Sequence, residues 1–450
     1  MYNTASILQA KPPKYTVSSR KYTIETRTVL EISQQIVYND TEKWERIIKN
    51  KNPRELWKEI AWDSTSYNSS NNHPPIEKLG EHFQNKSKIT NEEYFSFDHH
   101  KWNVVPVLDN EITQDEITEA IKKLKENRSS ADGWTPSMIT KIHGTLIPLL
   151  VFLFNAIFKF ASFPTKWTTT VVSAIFKNKG SRLSEKNYRP ISLVHLLSKL
   201  FDFILLKRFM NWFKPHEYQT AYQHGKSCAD HIFILRSLTE YCKSKKEKLF
   251  IICIDFEGAF DKVSRHKLFK KLQIFGVGST FLLSLISIYS LTDSIIYGQD
   301  TSFAYHLLAG IKQGLPLSPW LFLFYINDIF DLFDALHESN NILETLHLLI
   351  HADDTTITAN TRDSAKRKIN TLISYCKQNY IALQISKCEF IVINGTPEDK
   401  IDFMLPNGVI KNVRHVTLLG SQISESGQHN EGDETDYRMK IKTEKLLKIC

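Results

Sequence analysis

Three acidic side chains carry the clearest chemical signal in this chain. Asp255 lies at the end of the apolar segment Ile251–Ile254, and the pair Asp353–Asp354 follows the apolar segment Leu348–Ile350. A carboxylate at the end of a buried strand costs several kcal/mol unless a cation compensates it. Two carboxylate clusters that meet in space can hold two divalent cations about 3.5–4 Å apart, an arrangement suited to phosphoryl transfer. A lone Asp would more often be a turn or cap residue, but two such segments favour metal-assisted chemistry.

The elements around these residues must bring them together. Lys248–Asp255 is continuously apolar, as expected of a strand buried on both faces. Thr345–Asn360 is predicted to be strand, turn and strand, with the two Asp residues in the turn. The remaining elements predicted for this unit are helices at His266–Phe275, Ser279–Tyr289 and Asp363–Asn379, and a strand at Glu389–Asn394. This order predicts a mixed α/β unit in which Asp255 and the turn lie side by side.

The segments before and after this unit have weaker patterns. Thr113–Glu116 is a capping box that opens a helix, and compact structure is expected to begin near residue 110. The other predicted elements are a long apolar helix reaching residue 160, a strand at Val171–Phe176, helices at Leu193–Phe213 and Pro319–Leu336, and a hairpin strand at Val416–Ile423. Between them, the loops Lys177–Arg189 and Gly310–Gly314 carry cations and glycines respectively.

Composition describes an ordinary globular protein. Of 450 residues, 42% are hydrophobic and 24% are charged, which argues against a disordered chain. The formal net charge of +8 suits a polyanionic partner, although this sign alone is weak evidence. The six cysteines include no pair with CxxC spacing, so neither a zinc knuckle nor a disulfide framework is indicated.

The chain shows no targeting or membrane-spanning pattern. Its N-terminus lacks the apolar stretch of a signal peptide. The longest apolar run, Leu146–Phe158, contains Pro148 and Asn155 and is too short for a bilayer, so it is predicted to be a core helix. We therefore expect an intracellular protein of the nucleus or cytoplasm, neither secreted nor bound to a membrane. The sequence leaves the oligomeric state open.

Five blocks in one order carry a family resemblance. The chain resembles the reverse transcriptase of non-LTR (LINE-type) retrotransposons, with group II intron enzymes as more distant relatives, over roughly residues 110–430. The blocks are Asn187–Leu193 (NYRPISL), Asp255–Asp261 (DFEGAFD), Gly310–Pro319 (GIKQGLPLSP), Ala352–Asp354 (ADD), and Lys387 followed by Leu419–Gly420. One block would be weak evidence, but five in order are specific.

The resemblance implies an α+β right-hand polymerase fold, with fingers and a ferredoxin-like palm sheet flanked by helices. It predicts a polar N-terminal extension with short helices over residues 1–109 and fingers with part of the palm over 110–245. It predicts the palm with its motif loops over 246–430, and the start of a truncated thumb over 431–450. The implied activity is RNA-directed DNA polymerisation, with an RNA template, a DNA primer and deoxynucleoside triphosphates as partners.

The resemblance also implies roles for particular residues. Asp255 and Asp353 would bind two Mg²⁺ ions, or Mn²⁺, with Asp354 beside them as a third candidate ligand. Phe260 would exclude the 2′-hydroxyl of a ribonucleotide, although a core aromatic is an equal expectation for a lone Phe. Lys387 would protonate departing pyrophosphate, against an equal expectation of a surface lysine.

The remaining implied contacts concern the incoming nucleotide. Arg189 would grip its triphosphate through a planar guanidinium fork, with Lys177 assisting. Gln313 would contact the nucleotide or the template base, and Gly314 would permit close backbone approach.

Several positions depart from the family pattern. His351 stands where an aromatic residue usually contacts the primer end, Leu315 replaces a customary Cys, and Ala221–Ser227 is a loose version of its block. There is no endonuclease constellation before residue 110 and no CCHC knuckle in the sequence. One alternative is therefore a catalytically impaired remnant that binds RNA without synthesis. Another, an RNA-dependent RNA polymerase, is disfavoured by Phe260.

Overall fold

The computed structural model describes residues 73–88, 95–124, 130–177, 180–290, 292–297, 301–336 and 346–426, which all belong to one compact unit. The predicted helical pattern of the last twenty residues, and most of the N-terminal extension, lie outside these ranges. The helices, in chain order, are α1 Ile76–Lys86, α2 Pro106–Asp109, α3 Gln114–Lys122, α4 Pro136–Phe160, α5 Thr165–Thr168, α6 Leu196–Trp212, α7 Cys228–Lys245, α8 Arg265–Ile274, α9 Ser279–Tyr289, α10 Ser318–Asn327, α11 Ile329–Asp334 and α12 Arg362–Gln378.

The strands form two main sheets and a hairpin. In chain order they are β1 Thr170–Phe176, β2 Tyr188–Leu193, β3 Leu249–Ile254, β4 Asp293–Tyr297, β5 Ser302–His306, β6 Leu348–His351, β7 Asp354–Ala359, β8 Glu389–Ile393, β9 Phe403–Leu405, β10 Gly408–Asn412, β11 His415–Leu418 and β12 Ser421–Ser424. Within the described ranges, one sheet has the order β2-β1-β4-β5, the other has the order β6-β7-β3-β8-β10-β9, and β11 pairs with β12.

The larger sheet has the predicted ferredoxin-like core. The chain passes from β3 through α8 and α9 to β6 and β7, then through α12 to β8. In space these four strands lie in the order β8-β3-β7-β6 and all neighbours are antiparallel. Each pair of strands joined through helices, β3 with β6 and β7 with β8, therefore has another strand of the unit between its members, which is the split β-α-β arrangement of this fold.

Strand β3 explains why the centre is stable. Alternate side chains of a strand face opposite sides of the sheet, and both faces are covered here. Phe250 and Ile252 pack into the large core formed with the helices, whereas Leu249 and Ile251 pack into a smaller core with α7 and the β11–β12 hairpin. The run is apolar at every position because neither face meets water.

The smaller sheet joins distant parts of the chain. β1 pairs antiparallel with β2 and parallel with β4, and β4 forms a hairpin with β5. Helix α1 packs on this sheet, where Leu79 and Phe83 are buried with Val172 and Ile296. The expectation that compact structure begins near residue 110 was therefore wrong. The packed helix α1 lies earlier in the chain, at Ile76–Lys86.

Other element predictions had mixed outcomes. The predicted long helix reaching residue 160 is confirmed as α4, and Asn155 within it exchanges hydrogen bonds with the backbone of Ile112. Among the described residues, no helix has the length and apolarity needed to cross a bilayer. The predicted helix Pro319–Leu336 is two helices, α10 and α11, separated at Asp328. The predicted strand at 416–423 is the two-stranded hairpin β11–β12.

Candidate active site

Three carboxylates converge at one end of the larger sheet. Strand β3 runs antiparallel to β7 with Ile254 opposite Thr355, so the next residue, Asp255, lies opposite Asp354. Directly opposed residues in such a pair have Cα atoms about 4.5–5.5 Å apart. Asp353 lies in the two-residue turn between β6 and β7, beside both. The predicted juxtaposition of Asp255 with the turn is confirmed.

The electrostatics of this sheet end favour a cation. The pKa of Asp354 is raised from 3.8 to about 6, first by partial burial and then by the neighbouring charges of Asp353 and Asp255. Carboxylate oxygens are the hard ligands that Mg²⁺ prefers, and a bound cation would reduce the repulsion between them. In the described part of the chain, however, no group of three or more His, Cys, Asp or Glu side chains is arranged to hold a metal ion. The donor chemistry thus fits a divalent cation, while the side chains do not form a closed ligand set.

Lys387 faces the first of these carboxylates. The residue ends the short turn Ile385–Lys387, which is tied to the strand end because the N–H of Gln384 donates to the carbonyl oxygen of Asp255 at 2.9 Å. The Lys387 ammonium lies 3.4 Å from Asp255 Oδ2, and the side chains are 57% and 40% exposed. An exposed ion pair of this kind contributes little to stability. Its relevance is that it places a proton donor, the Lys387 ammonium, beside the carboxylates.

Gln313 and Gly314 lie beside a different acid. Gln313 Nε2 donates to Asp261 Oδ1 at 2.6 Å, and the Gln313 carbonyl accepts from the N–H of Ser192 in β2 at 2.9 Å. Gly314 has φ +146°, and a Cβ there would lie 2.2 Å from the carbonyl oxygen of Ser192. Only glycine allows this close approach between the loop and the smaller sheet.

A small cavity separates this loop from helix α1. Its volume is about 30 Å³, and its lining includes Phe83 and Ser87 from the end of α1 as well as Asp261 and Gln313. Burial raises the pKa of Asp261, while nearby Lys86 and the hydrogen bond from Gln313 lower it. The end of α1 therefore reaches the loop that contains two predicted site residues.

Cations gather around Asp261. Arg189 is exposed on β2, and Lys177 at the end of β1 donates through Nζ to the carbonyl of Lys186 at 2.7 Å. The pKa of Lys177 is lowered by burial, then by the positive charges of Lys86, Arg189 and Lys387. The pKa of Lys86 is also lowered by burial, and Asp261 opposes that shift. Lys177 thus lies within electrostatic reach of both the Asp261 group and Lys387.

Phe260 is half-buried next to Asp261. Its ring stacks on Phe322 with centroids 4.9 Å apart, and its carbonyl accepts from the N–H of Ile311 at 3.0 Å. The residue is therefore packed against the core and partly exposed.

His351 departs from the expected aromatic residue and is held by a neighbour. Its Nδ1 lies 2.9 Å from Thr220 Oγ1, and burial lowers its pKa, with Asp353 acting in the opposite direction. The imidazole is therefore tied into the protein beside the carboxylate turn.

The nine predicted site residues thus fall into two groups. Asp255, Asp353, Asp354 and Lys387 share the sheet end. Phe260 precedes Asp261 in the chain, Gln313 and Gly314 belong to its neighbouring loop, and Arg189 and Lys177 lie in β2 and at the end of β1. Sequence reasoning missed Lys86, whose charge acts on Asp261, and Gln219, whose side chain accepts from the N–H of Ala352. A lysine at the end of an amphipathic helix gives no local signal for such a role.

Comparisons with known proteins show which family this sequence resembles. Residues 176–423 match the family described as reverse transcriptase (RNA-dependent DNA polymerase). A transposon TX1 uncharacterized 149 kDa protein from Xenopus laevis is 25% identical over 68% of this chain and 24% of its own length. The Pol polyprotein of a type-1 retrotransposable element R2 from Popillia japonica is 28% identical over 47% of this chain and 29% of its own length.

A third relative extends this pattern. A probable RNA-directed DNA polymerase from transposon BS of Drosophila melanogaster is 26% identical over 48% of this chain and 25% of its own length. The chain thus matches only 24% to 29% of the length of these curated relatives. The matched family segment covers more than half of the chain and includes the carboxylate turn, β3 and the Gly310–Ser318 loop. The chain belongs to the reverse transcriptase family.

Proposed function

We propose that this chain is the polymerase region of a non-LTR retrotransposon protein. It would transfer nucleotides from deoxynucleoside triphosphates to the 3′-hydroxyl of a DNA primer on an RNA template. The observation that carries the proposal is the pairing of β3 with β7, which sets Asp255 opposite Asp354 beside the Asp353 turn. Family membership and the transposon relatives support the same activity.

Asp255 and Asp353 would hold the divalent ions, with Asp354 adjacent. Bound Mg²⁺ would acidify the primer hydroxyl and neutralise charge on the triphosphate. Burial, and then the charges of Asp353 and Asp255, raise the pKa of Asp354, and a bound cation would relieve this repulsion, which supports the assignment. Mn²⁺, which takes the same oxygen ligands, is the expected substitute.

The protein's own cations and loops would position the nucleotide. Arg189 is exposed and suited to bidentate phosphate binding, with Lys177 near it. Gln313, fixed by Asp261, would meet the nucleotide or the template base. Because the transition state of phosphoryl transfer is loose, positioning and charge neutralisation of this kind supply most of the catalysis.

Lys387 would act at the end of the reaction. Its ammonium can give a proton to the departing pyrophosphate, and it lies 3.4 Å from the Asp255 carboxylate at the sheet end. Phe260 would act earlier, by filling the space that a 2′-hydroxyl needs.

Primer extension on matched RNA and DNA templates, with Mg²⁺ or Mn²⁺, tests the proposal. We expect extension on RNA with deoxynucleotides, abolished by Asp353→Asn and retained by Asp115→Asn, an exposed Asp in α3. Folded protein that extends no primer with either metal contradicts the proposal. Salt-dependent RNA binding without extension would instead indicate the impaired remnant.

A further inference from the structure

The edge of the carboxylate-bearing hairpin is covered by a segment from elsewhere in the chain. The N–H of Ile350 in β6 donates to the carbonyl of Tyr218 at 3.0 Å, and the N–H of Thr220 donates to the carbonyl of Ile350 at 2.9 Å. Gln219 therefore pairs with Ile350 in parallel, as a short extra strand on β6. The backbone of residues 218–220 fixes the strand that leads into the turn.

The turn itself contains an unfavourable backbone conformation. Ala352 has φ +58°, in the left-handed region where residues other than glycine are strained. Such a conformation persists only when surrounding contacts hold it. The turn is flanked by His351 and Asp354, which oppose each other across the hairpin.

Gln219 supplies that contact. Its side chain is 1% exposed, and its Oε1 accepts from the N–H groups of Ala352 and Ala221, both at 3.1 Å. Because both partners are donors, the amide oxygen must be the atom that faces them. The neighbouring Thr220 Oγ1 lies 2.9 Å from His351 Nδ1. The segment 219–220 therefore contacts two successive residues, His351 and Ala352, at the start of the turn.

We propose that Gln219 is a positioning residue for the catalytic turn, and this rests on the proposed polymerase function. Its amide oxygen holds the Ala352 peptide in the left-handed conformation and thereby fixes the directions in which Asp353 and Asp354 leave the turn. Removing the oxygen leaves two N–H groups without their acceptor next to a strained residue. The carboxylates would then sample directions that do not suit shared metal binding.

The matched variants are Gln219→Met, which keeps the side-chain length and removes the acceptor, and Gln378→Met at an exposed position in α12. Gln219→Glu keeps an oxygen at the same reach. Backbone hydrogen exchange at Ala352, read on protein labelled with ¹⁵N-alanine, reports the hydrogen bond without substrate. In the unmodified protein we expect this amide to be protected although it lies in a turn.

For Gln219→Met we expect Ala352 exchange faster by about tenfold or more, with Ala359 in β7 unchanged. We expect kcat to fall about tenfold or more while KM for the deoxynucleotide changes less than about threefold. The Mg²⁺ concentration for half-maximal activity should rise. Gln378→Met should match the unmodified protein, and Gln219→Glu should keep Ala352 protected.

Unprotected Ala352 in the unmodified protein overturns the inference whether or not any variant folds. Unchanged Ala352 exchange in Gln219→Met also overturns it, and so does a rise in KM alone. If the unmodified chain extends no primer, the proposed function fails. The exchange measurements then still test the contact between Gln219 and the turn.

Discussion

At the scale of single residues, Phe260 occupies a position with two roles. Its ring stacks on that of Phe322, and the residue is only half-buried. We expect Phe260→Val to keep most of the packing and to open space where a 2′-hydroxyl could enter. The ratio of kcat/KM for ribonucleotides to that for deoxynucleotides should rise by about tenfold or more, as measured by single-nucleotide primer extension.

Phe322→Leu is the matched control for this change. Phe322 is 1% exposed and lies behind Phe260, so its shortening should lower stability with little effect on sugar selection. Equal selectivity in Phe260→Val and in the unmodified protein would show that Phe260 serves as a core aromatic alone.

Lys86 is a second residue whose role depends on distant partners. It belongs to α1, outside the matched family segment, yet Asp261 and Arg189 are among the charges that act on it. A cation there strengthens the attraction of the site for a triphosphate. We expect Lys86→Ala to raise KM for the deoxynucleotide by roughly 3- to 10-fold, with kcat nearly unchanged, in steady-state primer extension.

Lys78→Ala provides the comparison, because Lys78 is exposed on the same helix. It should leave KM unchanged. If both variants raise KM equally, the effect belongs to net charge and not to the position of Lys86.

The sequence could reveal the acids more readily than their partners. Asp255 and Asp353–Asp354 interrupt apolar runs, and that interruption is visible locally. Lys86 and Gln219 lie in segments whose local patterns describe a helix end and a loop. Their functional contacts form only when the chain folds, so single-sequence reasoning had no signal for them.

At the scale of elements, the loop between β5 and α10 is anchored by two buried ionisable side chains. Asp202 of α6 is 2% exposed and its Oδ2 accepts from the N–H of Leu317 at 2.7 Å. Lys312 is 3% exposed and donates through Nζ to the carbonyl of Thr168 at 3.2 Å. Burial raises the pKa of Asp202 to about 7 and lowers the pKa of Lys312 to about 7.

This anchor predicts a pH dependence of stability. Between its ordinary pKa of 3.8 and about 7, Asp202 keeps a proton in the folded protein that the unfolded chain releases. The contribution of Asp202 to the free energy of unfolding therefore falls as pH rises through that window, on the order of a few kcal/mol in total. Lys312 is mostly protonated in both states below pH 7, so it contributes little there.

Asp202→Asn keeps an oxygen for the Leu317 N–H and removes the titration. We expect the urea midpoint of this variant to exceed that of the unmodified protein at pH 7.5, with the difference shrinking toward pH 4.5. Asp115→Asn, at an exposed site, should follow the unmodified protein throughout. Parallel midpoints for Asp202→Asn and the unmodified protein at all pH values would contradict the anchoring of this loop by a buried, protonated acid.

Element predictions succeeded where the pattern was long and local. Helix Ser279–Tyr289 and the β6–β7 hairpin were predicted closely, because apolar periodicity and turn residues mark them. The break at Asp328 between α10 and α11 was missed because nearly every residue of α10 is buried, which leaves no periodicity to interrupt. The antiparallel pairing of β4 with β5 was also overlooked.

At the scale of the whole molecule, the order of elements predicted a mixed α/β unit, and the family resemblance implied its ferredoxin-like sheet. The smaller sheet could not be predicted from the sequence, because β1 pairs in parallel with β4, which lies more than a hundred residues later in the chain. No local pattern specifies such a partner. The boundaries predicted for the fingers, palm and thumb remain predictions.

Helix α1 is attached to the smaller sheet by three buried apolar side chains. Ile76, Leu79 and Phe83 are 5%, 0% and 2% exposed, and they cover Val172, Ile296 and Tyr305. Gly80 approaches so closely that a Cβ there would lie 2.1 Å from the Phe303 ring. Burying three side chains of this size contributes roughly 5–9 kcal/mol before conformational entropy is subtracted, as much as a whole domain's net stability.

A chain that begins at residue 95, and so lacks α1 but keeps α2, should therefore be markedly less stable than one that begins at residue 73. We expect a lower urea midpoint and exposed apolar surface detectable by dye binding, because the sheet face under α1 becomes bare. Phe83→Ala in the full chain should reproduce part of the loss, roughly 3–5 kcal/mol, while Lys78→Ala should not. Equal midpoints for the two shortened chains would mean that α1 rests on the sheet without stabilising it, and the site's reliance on Lys86 would then lose its structural basis.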